Sequence, residues 1–170
     1  MRLETLLSSI NDEMYRKITE NRTVEEAEAK ATAKVVALSA VKYGDLSNQA
    51  SKDYIFDIDR FTSFEGNTGP YILYTIVRIK SILNKYKEAG KEAGTAAILP
   101  AHSESEKALM LELTRFNAMM ENAYEETAPH KVCSYIYDLA NALNHFYHET
   151  KIMAEEDEAV QASYVRLLTL

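Results

Sequence analysis

Four side chains in the stretch from residue 70 to residue 86 have the types and spacing that chemistry could use. At about 100° per residue of an α-helix, Tyr71, Tyr74, Arg78 and Lys85 fall on one stripe. Aromatic faces stack on unpaired bases, and a guanidinium stacks on a base or binds phosphate. Such a stripe is a candidate surface for single-stranded nucleic acid. The competing reading half-buries the tyrosines against a neighbouring helix with their hydroxyls in water.

Other reactive side chains are less organised. His145 and His148, with Glu149 adjacent, have an i, i+3 spacing that could hold a metal, but no third or fourth ligand stands nearby, so no metal is expected. Cys133 lies beside an apolar stripe and reads as an inert core thiol. Asp53, Asp57 and Asp59 form no acid–base pair and read as turn caps. Residues 155–158 read as loop charge and as acidic charge at a helix N-terminus. There is no glycine-rich phosphate loop and no nucleophile elbow, so no catalytic residue is assigned.

The elements that position these groups are helices. Five Gly and three Pro in 170 residues are few, and both residue types break regular structure. Helix formers dominate, with no spaced β-rich runs, so the chain reads as an all-α helical bundle. A first helix is expected over residues 2–20. Thr23 and Glu26 read as a capping box opening a helix with Ala27, Ala31, Val35, Leu38 and Val41 inward, which ends near Gly44. Residues 45–66 read as a compact connection with one short extended piece at 54–56. Asn67-Thr-Gly-Pro70 is a helix start, and that helix should bury Ile72, Ile76, Ile79, Leu83 and Tyr86 before ending near residue 89. Ser103 and Glu106 form a second capping box, ahead of Leu109, Leu113, Phe116 and Met120. Pro129 opens a helix with Val132, Ile136, Leu139, Leu143 and Phe146 inward, and a last helix starts near Asp157. It meets no stop signal by Leu170, as expected of a chain cut within an element.

Composition narrows the function classes. The chain is 46% hydrophobic and 26% charged, enough to bury a core in one domain with a short attached element. The net charge is −7, yet residues 61–100 carry five positive and three negative charges, the only net-positive stretch. An anionic partner should meet the protein there, although a solvated basic helix end would look the same. A single cysteine, no signal peptide and no apolar run near 20 residues point to a cytoplasmic location without a membrane partner. The sequon at Asn21 then has no use.

Several strings share one resemblance. Ala40-Val-Lys-Tyr43-Gly-Asp-Leu-Ser47, Lys52-Asp-Tyr-Ile-Phe-Asp-Ile-Asp-Arg60 and Ser63-Phe-Glu-Gly-Asn-Thr-Gly-Pro-Tyr71 resemble the arginyl-tRNA synthetase family. The match continues through residues 74–82 and resumes at Glu106-Lys-Ala-Leu, Leu113-Thr-Arg-Phe116, Ala128-Pro-His130 and Phe146-Tyr147. These class I synthetases attach arginine to its tRNA using ATP. The resemblance implies that residues 1–60 are the helical connection to a catalytic domain absent here, together with its His-Ile-Gly-His-like motif and second signature loop. It implies that residues 61–170 are the anticodon-binding bundle, stopping before a terminal stretch with an Asp-Ala-Leu-Arg-type pattern.

On that resemblance the family's Tyr-x-x-Tyr-x-x-x-Arg array falls on Tyr71, Tyr74 and Arg78, the stripe that periodicity also picks out. Tyr147 is the counterpart of a later tyrosine that approaches the anticodon loop. Gly69 stands where alanine is common, an exchange expected to change little. The implied partner is arginine-accepting tRNA, not DNA, and the implied parent is a monomer. ATP and Mg belong to the parent's catalytic domain, with no cofactor on this chain, which binds but does not catalyse. Two other readings stay open: a stand-alone enzyme with an unrecognised site, and a helical protein-interaction module using the acidic C-terminal third.

Overall fold

The computed structural model describes residues 2–20, 23–92 and 94–170; the sequon at Asn21 lies outside them. The described residues form eight α-helices: α1 (Leu3–Glu20), α2 (Glu26–Leu46), α3 (Ile58–Phe61), α4 (Gly69–Glu88), α5 (Glu104–Thr114), α6 (Phe116–Glu125), α7 (Pro129–Glu149) and α8 (Glu158–Leu167). One 3-10 turn, Ile152–Ala154, precedes α8. The all-α expectation holds. Among the described residues there is no strand, so 54–56 is coil leading into α3. Two compact units share the chain: Met1–Tyr74 with Ala123–Ser134, and Thr75–Asn122 with Tyr135–Leu170.

In the first unit, α1 packs on α2 through Ile10 and Met14 against Ala33, Val36, Ala37 and Ala40. This corrects the expected face of α2. Ala27, Ala31, Val35 and Leu38 are exposed, and only Val41 of that set packs inward. The alanine face wins because small side chains let two helices approach closely and still fill the space between them. The cap differs too: α2 starts at Glu26, and the Glu25 carboxylate accepts from the Glu28 amide at 3.1 Å, displacing the box at Thr23.

Two glycines in this unit are places of close approach. Gly44 lies inside α2, two residues before its end, and a Cβ there would sit 2.5 Å from Phe61 Cδ1. Phe61 in turn stacks on Phe56 at 4.4 Å, and Asp57 caps α3 by accepting from the Arg60 amide at 3.2 Å. Gly69 opens α4 so close to α2 that a Cβ would lie 2.3 Å from the Ser39 carbonyl oxygen. Alanine is therefore not a slight change here, contrary to the sequence expectation. The neighbouring atom is backbone, which cannot swing aside.

The second unit surrounds Phe146, whose side chain is fully buried. Ile82, Tyr86, Leu109, Leu143, Ile152, Tyr164, Val165 and Leu168 complete the cluster. Tyr164 meets Phe146 edge to face at 5.4 Å between ring centres. Ser103 caps α5 as expected, accepting from the Glu106 amide at 3.1 Å. Glu106 reaches back one residue further than a capping box requires, to the His102 amide at 2.6 Å. Arg115 interrupts the helix, so Phe116 and Met120 on α6 turn outward, whereas Leu109 and Leu113 pack inward. Asp157 caps α8 through the Ala159 and Val160 amides at 2.8 and 3.1 Å.

Candidate nucleic-acid interface

Helix α4 carries four of the five sequence candidates, and its start is fixed locally. The Thr68 hydroxyl donates to the Ser63 carbonyl at 2.7 Å and accepts from the Tyr71 amide at 3.2 Å. Pro70 occupies the first turn, where a missing amide hydrogen leaves no bond unmade. Beyond that turn the inward face is Thr75, Ile79, Ile82, Leu83 and Tyr86. This rotates the expected apolar stripe: Ile72 sits at the edge and Ile76 is exposed. Packing against α7 selects a face on which one position, Thr75, is polar.

Tyr71 and Tyr74 belong to the first unit. Tyr71 is half-buried, and Tyr74 is 49% exposed, so a large part of its ring is accessible. Arg78, Lys85 and Tyr147 belong to the second unit. There the structure brings Arg78 and Tyr147 together: the guanidinium carbon lies 4.6 Å from the centre of the Tyr147 ring, within the range of a cation–π contact. Tyr147 remains 37% exposed.

Arg78 is also held from α7, where its Nη1 donates to Asn144 Oδ1. The Asn144 amide nitrogen donates to Thr75 Oγ1 at 3.2 Å. The result is a continuous path from buried Thr75 through Asn144 to Arg78 and then the face of Tyr147. Sequence reading missed Thr75 and Asn144. The available signal was polar residues at positions where the helical period places a packed side chain.

The charges sort into two groups. Lys91 has structural partners, since its Nζ donates to Gln161 Oε1 at 2.9 Å and lies 3.3 Å from Glu158. Lys80, Lys85 and Lys87 are exposed along α4, the last two in its final turn, where cations also suit the helix dipole. His145 pairs with Glu149 at 3.6 Å on an exposed surface. Among the described residues no three His, Cys, Asp or Glu side chains converge to hold a metal. Cys133 is buried, and burial pushes its thiol above its ordinary value. No described helix is long and apolar enough to cross a membrane.

Residues 72–170 match the DALR anticodon binding domain, and residues 1–58 match the catalytic domain of class I (R) tRNA synthetases. The arginine–tRNA ligase of Agathobacter rectalis is 65% identical over the whole chain, which covers 30% of that relative. That of Alkaliphilus oremlandii is 51% identical, again over the whole chain and 29% of the relative. The chain thus spans under a third of the length of these curated relatives. Among solved structures, arginyl-tRNA synthetase from Thermus thermophilus superposes with a TM-score of 0.85 at 27% identity, covering 99% of this chain and 29% of that one. The resemblance read from the sequence strings is borne out.

Proposed function

The chain belongs to the DALR anticodon binding domain family, and from that premise we propose that it grips the anticodon arm of an arginine-accepting tRNA. In this reading it is the helical C-terminal part of a cytoplasmic, monomeric arginine–tRNA ligase. Arginine, ATP and Mg meet in the parent's catalytic domain, and this chain binds without catalysing. The proposed division assigns residues 1–60 to the connection toward that domain and 61–170 to the anticodon-binding bundle. The two family matches support a boundary between residues 58 and 72, and the match over 1–58 is to the catalytic domain, of which the connection would be the helical end.

Tyr71 and Tyr74 stack on bases splayed from the anticodon loop, each stack stabilising by about 1–3 kcal/mol. Arg78 adds hydrogen bonds to a base edge or a phosphate, with Tyr147 beneath it. Lys85, with Lys80 and Lys87, attracts the phosphate backbone in a salt-dependent way. In the parent this grip positions the acceptor end of the tRNA at the distant catalytic domain, so specificity comes from binding energy.

The observation that carries the proposal is the 4.6 Å approach of Arg78 to the Tyr147 ring. It joins two candidates that lie 69 residues apart in the sequence. The test is a titration of the chain with an arginine anticodon stem-loop and an anticodon-swapped copy. Selective binding that weakens in Tyr74→Ala and Arg78→Ala supports the reading. Binding that ignores RNA but captures a protein partner, unaffected by those changes, favours the interaction module.

A further inference from the structure

Asn144 is a polar residue, only 9% exposed, on a helix face otherwise filled by Ala140, Leu143 and Phe146. Burying an amide is unfavourable unless both of its ends are bonded. Arg78 can only donate, so the amide oxygen must face it. That leaves the amide NH2 aimed into the interior, where the acceptor is the hydroxyl of Thr75, itself 4% exposed. Thr75 sits three residues before Arg78 on the same helix, so it cannot move independently of the guanidinium's own base. Each bond in this path fixes the next: Thr75 holds Asn144, Asn144 holds Arg78, and Arg78 lies over Tyr147.

We infer that Thr75 and Asn144 are positioning residues that set the guanidinium of Arg78 over the Tyr147 ring before RNA arrives, so that Arg78 meets the anticodon loop already oriented. The inference rests on the proposed anticodon reading for its RNA consequence. Its structural half concerns the free protein. A long flexible side chain ordered beforehand loses less entropy on binding, which raises affinity without any new contact to the RNA.

The test compares Thr75→Val with Thr75→Ser in the full chain, each with and without Arg78→Ala. Valine keeps the shape and removes the acceptor; serine restores the acceptor. Thr75→Ala, which also removes the hydroxyl but adds no new group, is the second variant if valine impairs folding. Thermal midpoints report the fold. The first readout needs no RNA: the Arg78 Nε–H NMR signal, assigned by its loss in Arg78→Ala, should move toward the position of a mobile arginine in Thr75→Val and stay in place in Thr75→Ser.

The second readout is affinity for the arginine anticodon stem-loop. Thr75→Val should weaken it up to about tenfold, the scale of immobilising one rotamer-rich side chain on binding. Thr75→Ser should stay within about twofold, and Thr75→Val should change nothing further once Arg78 is alanine. An unmoved Arg78 signal in Thr75→Val overturns the positioning role, as does a tenfold loss of equal size in both Arg78 backgrounds. A moved signal combined with an Arg78→Ala variant that binds RNA like wild type overturns the anticodon reading and the RNA consequence drawn here.

Discussion

Arg78 on α4 lies over the ring of Tyr147 on α7, 4.6 Å from its centre, and this contact depends on the ring's face rather than on its hydroxyl. A cation–π contact of this kind is worth roughly 0.5–2 kcal/mol. Tyr147→Phe should therefore bind the arginine anticodon stem-loop within about twofold of wild type, whereas Tyr147→Leu should lose roughly 2- to 30-fold. Fluorescence anisotropy with a labelled stem-loop measures both. Equal losses for phenylalanine and leucine would show that the hydroxyl, not the ring face, does the work.

Stacking and charge should separate under salt. Tyr74 is half-exposed on α4, and Lys85 is exposed eleven residues further along it. Tyr74→Ala should lower RNA affinity by about 1–3 kcal/mol and leave the dependence of log K on log salt unchanged. Lys85→Gln should weaken binding less at physiological salt, and its salt slope should fall by about one. Titrations at four salt concentrations decide the matter. A Tyr74→Ala variant with an altered slope, or a Lys85→Gln variant with an unaltered one, would reassign the two roles.

Gly69 should resist substitution. Alanine is the better helix former by up to about 1 kcal/mol, but its Cβ would meet the Ser39 carbonyl oxygen at 2.3 Å. Forcing two helix backbones apart costs typically 1–3 kcal/mol, so the clash wins and Gly69→Ala should lower stability. Urea denaturation reads the difference. A variant as stable as wild type would mean that α4 shifts along α2 without strain.

Much of the fold was legible in the sequence because helix starts are local chemistry. Thr68 with Pro70, Ser103 and Asp157 each announce a helix within four residues, and each acts as a cap. Which face turns inward is not local. On α2, Val35 and Leu38 outrank alanine in hydrophobicity, yet the alanine face lies against α1 because close approach favours small side chains. On α4, Ile76 is exposed whereas Thr75 is buried, since Thr75 has a hydrogen-bond partner on α7 that no reading of α4 alone could supply. The Tyr71, Tyr74 and Arg78 stripe was visible from its period; the path that anchors Arg78 was not. The cost of alanine at Gly69 was invisible for the same reason, because it depends on a backbone oxygen thirty residues away.

Cys133 sets a direction in pH. Burial raises its thiol above the ordinary value near 9.0, so the folded state holds the proton more tightly than the unfolded chain does. Stability from this group is then fully present below pH 9.0 and declines as pH rises through the folded value. Iodoacetamide at pH 8 should leave the folded chain nearly unmodified and label it at one site in urea, because the thiolate is the nucleophile. Rapid labelling of folded protein would contradict a buried, protonated thiol. Mass spectrometry counts the adducts.

The most direct test of the central claim is a titration with arginine tRNA and an anticodon-swapped copy at fixed salt, using wild type and Arg78→Ala. Wild type should bind the native anticodon more tightly, and Arg78→Ala should lose both affinity, by about 1–3 kcal/mol, and selectivity. Equal binding by all four combinations would contradict that claim and leave Arg78 and Tyr147 as a packing pair.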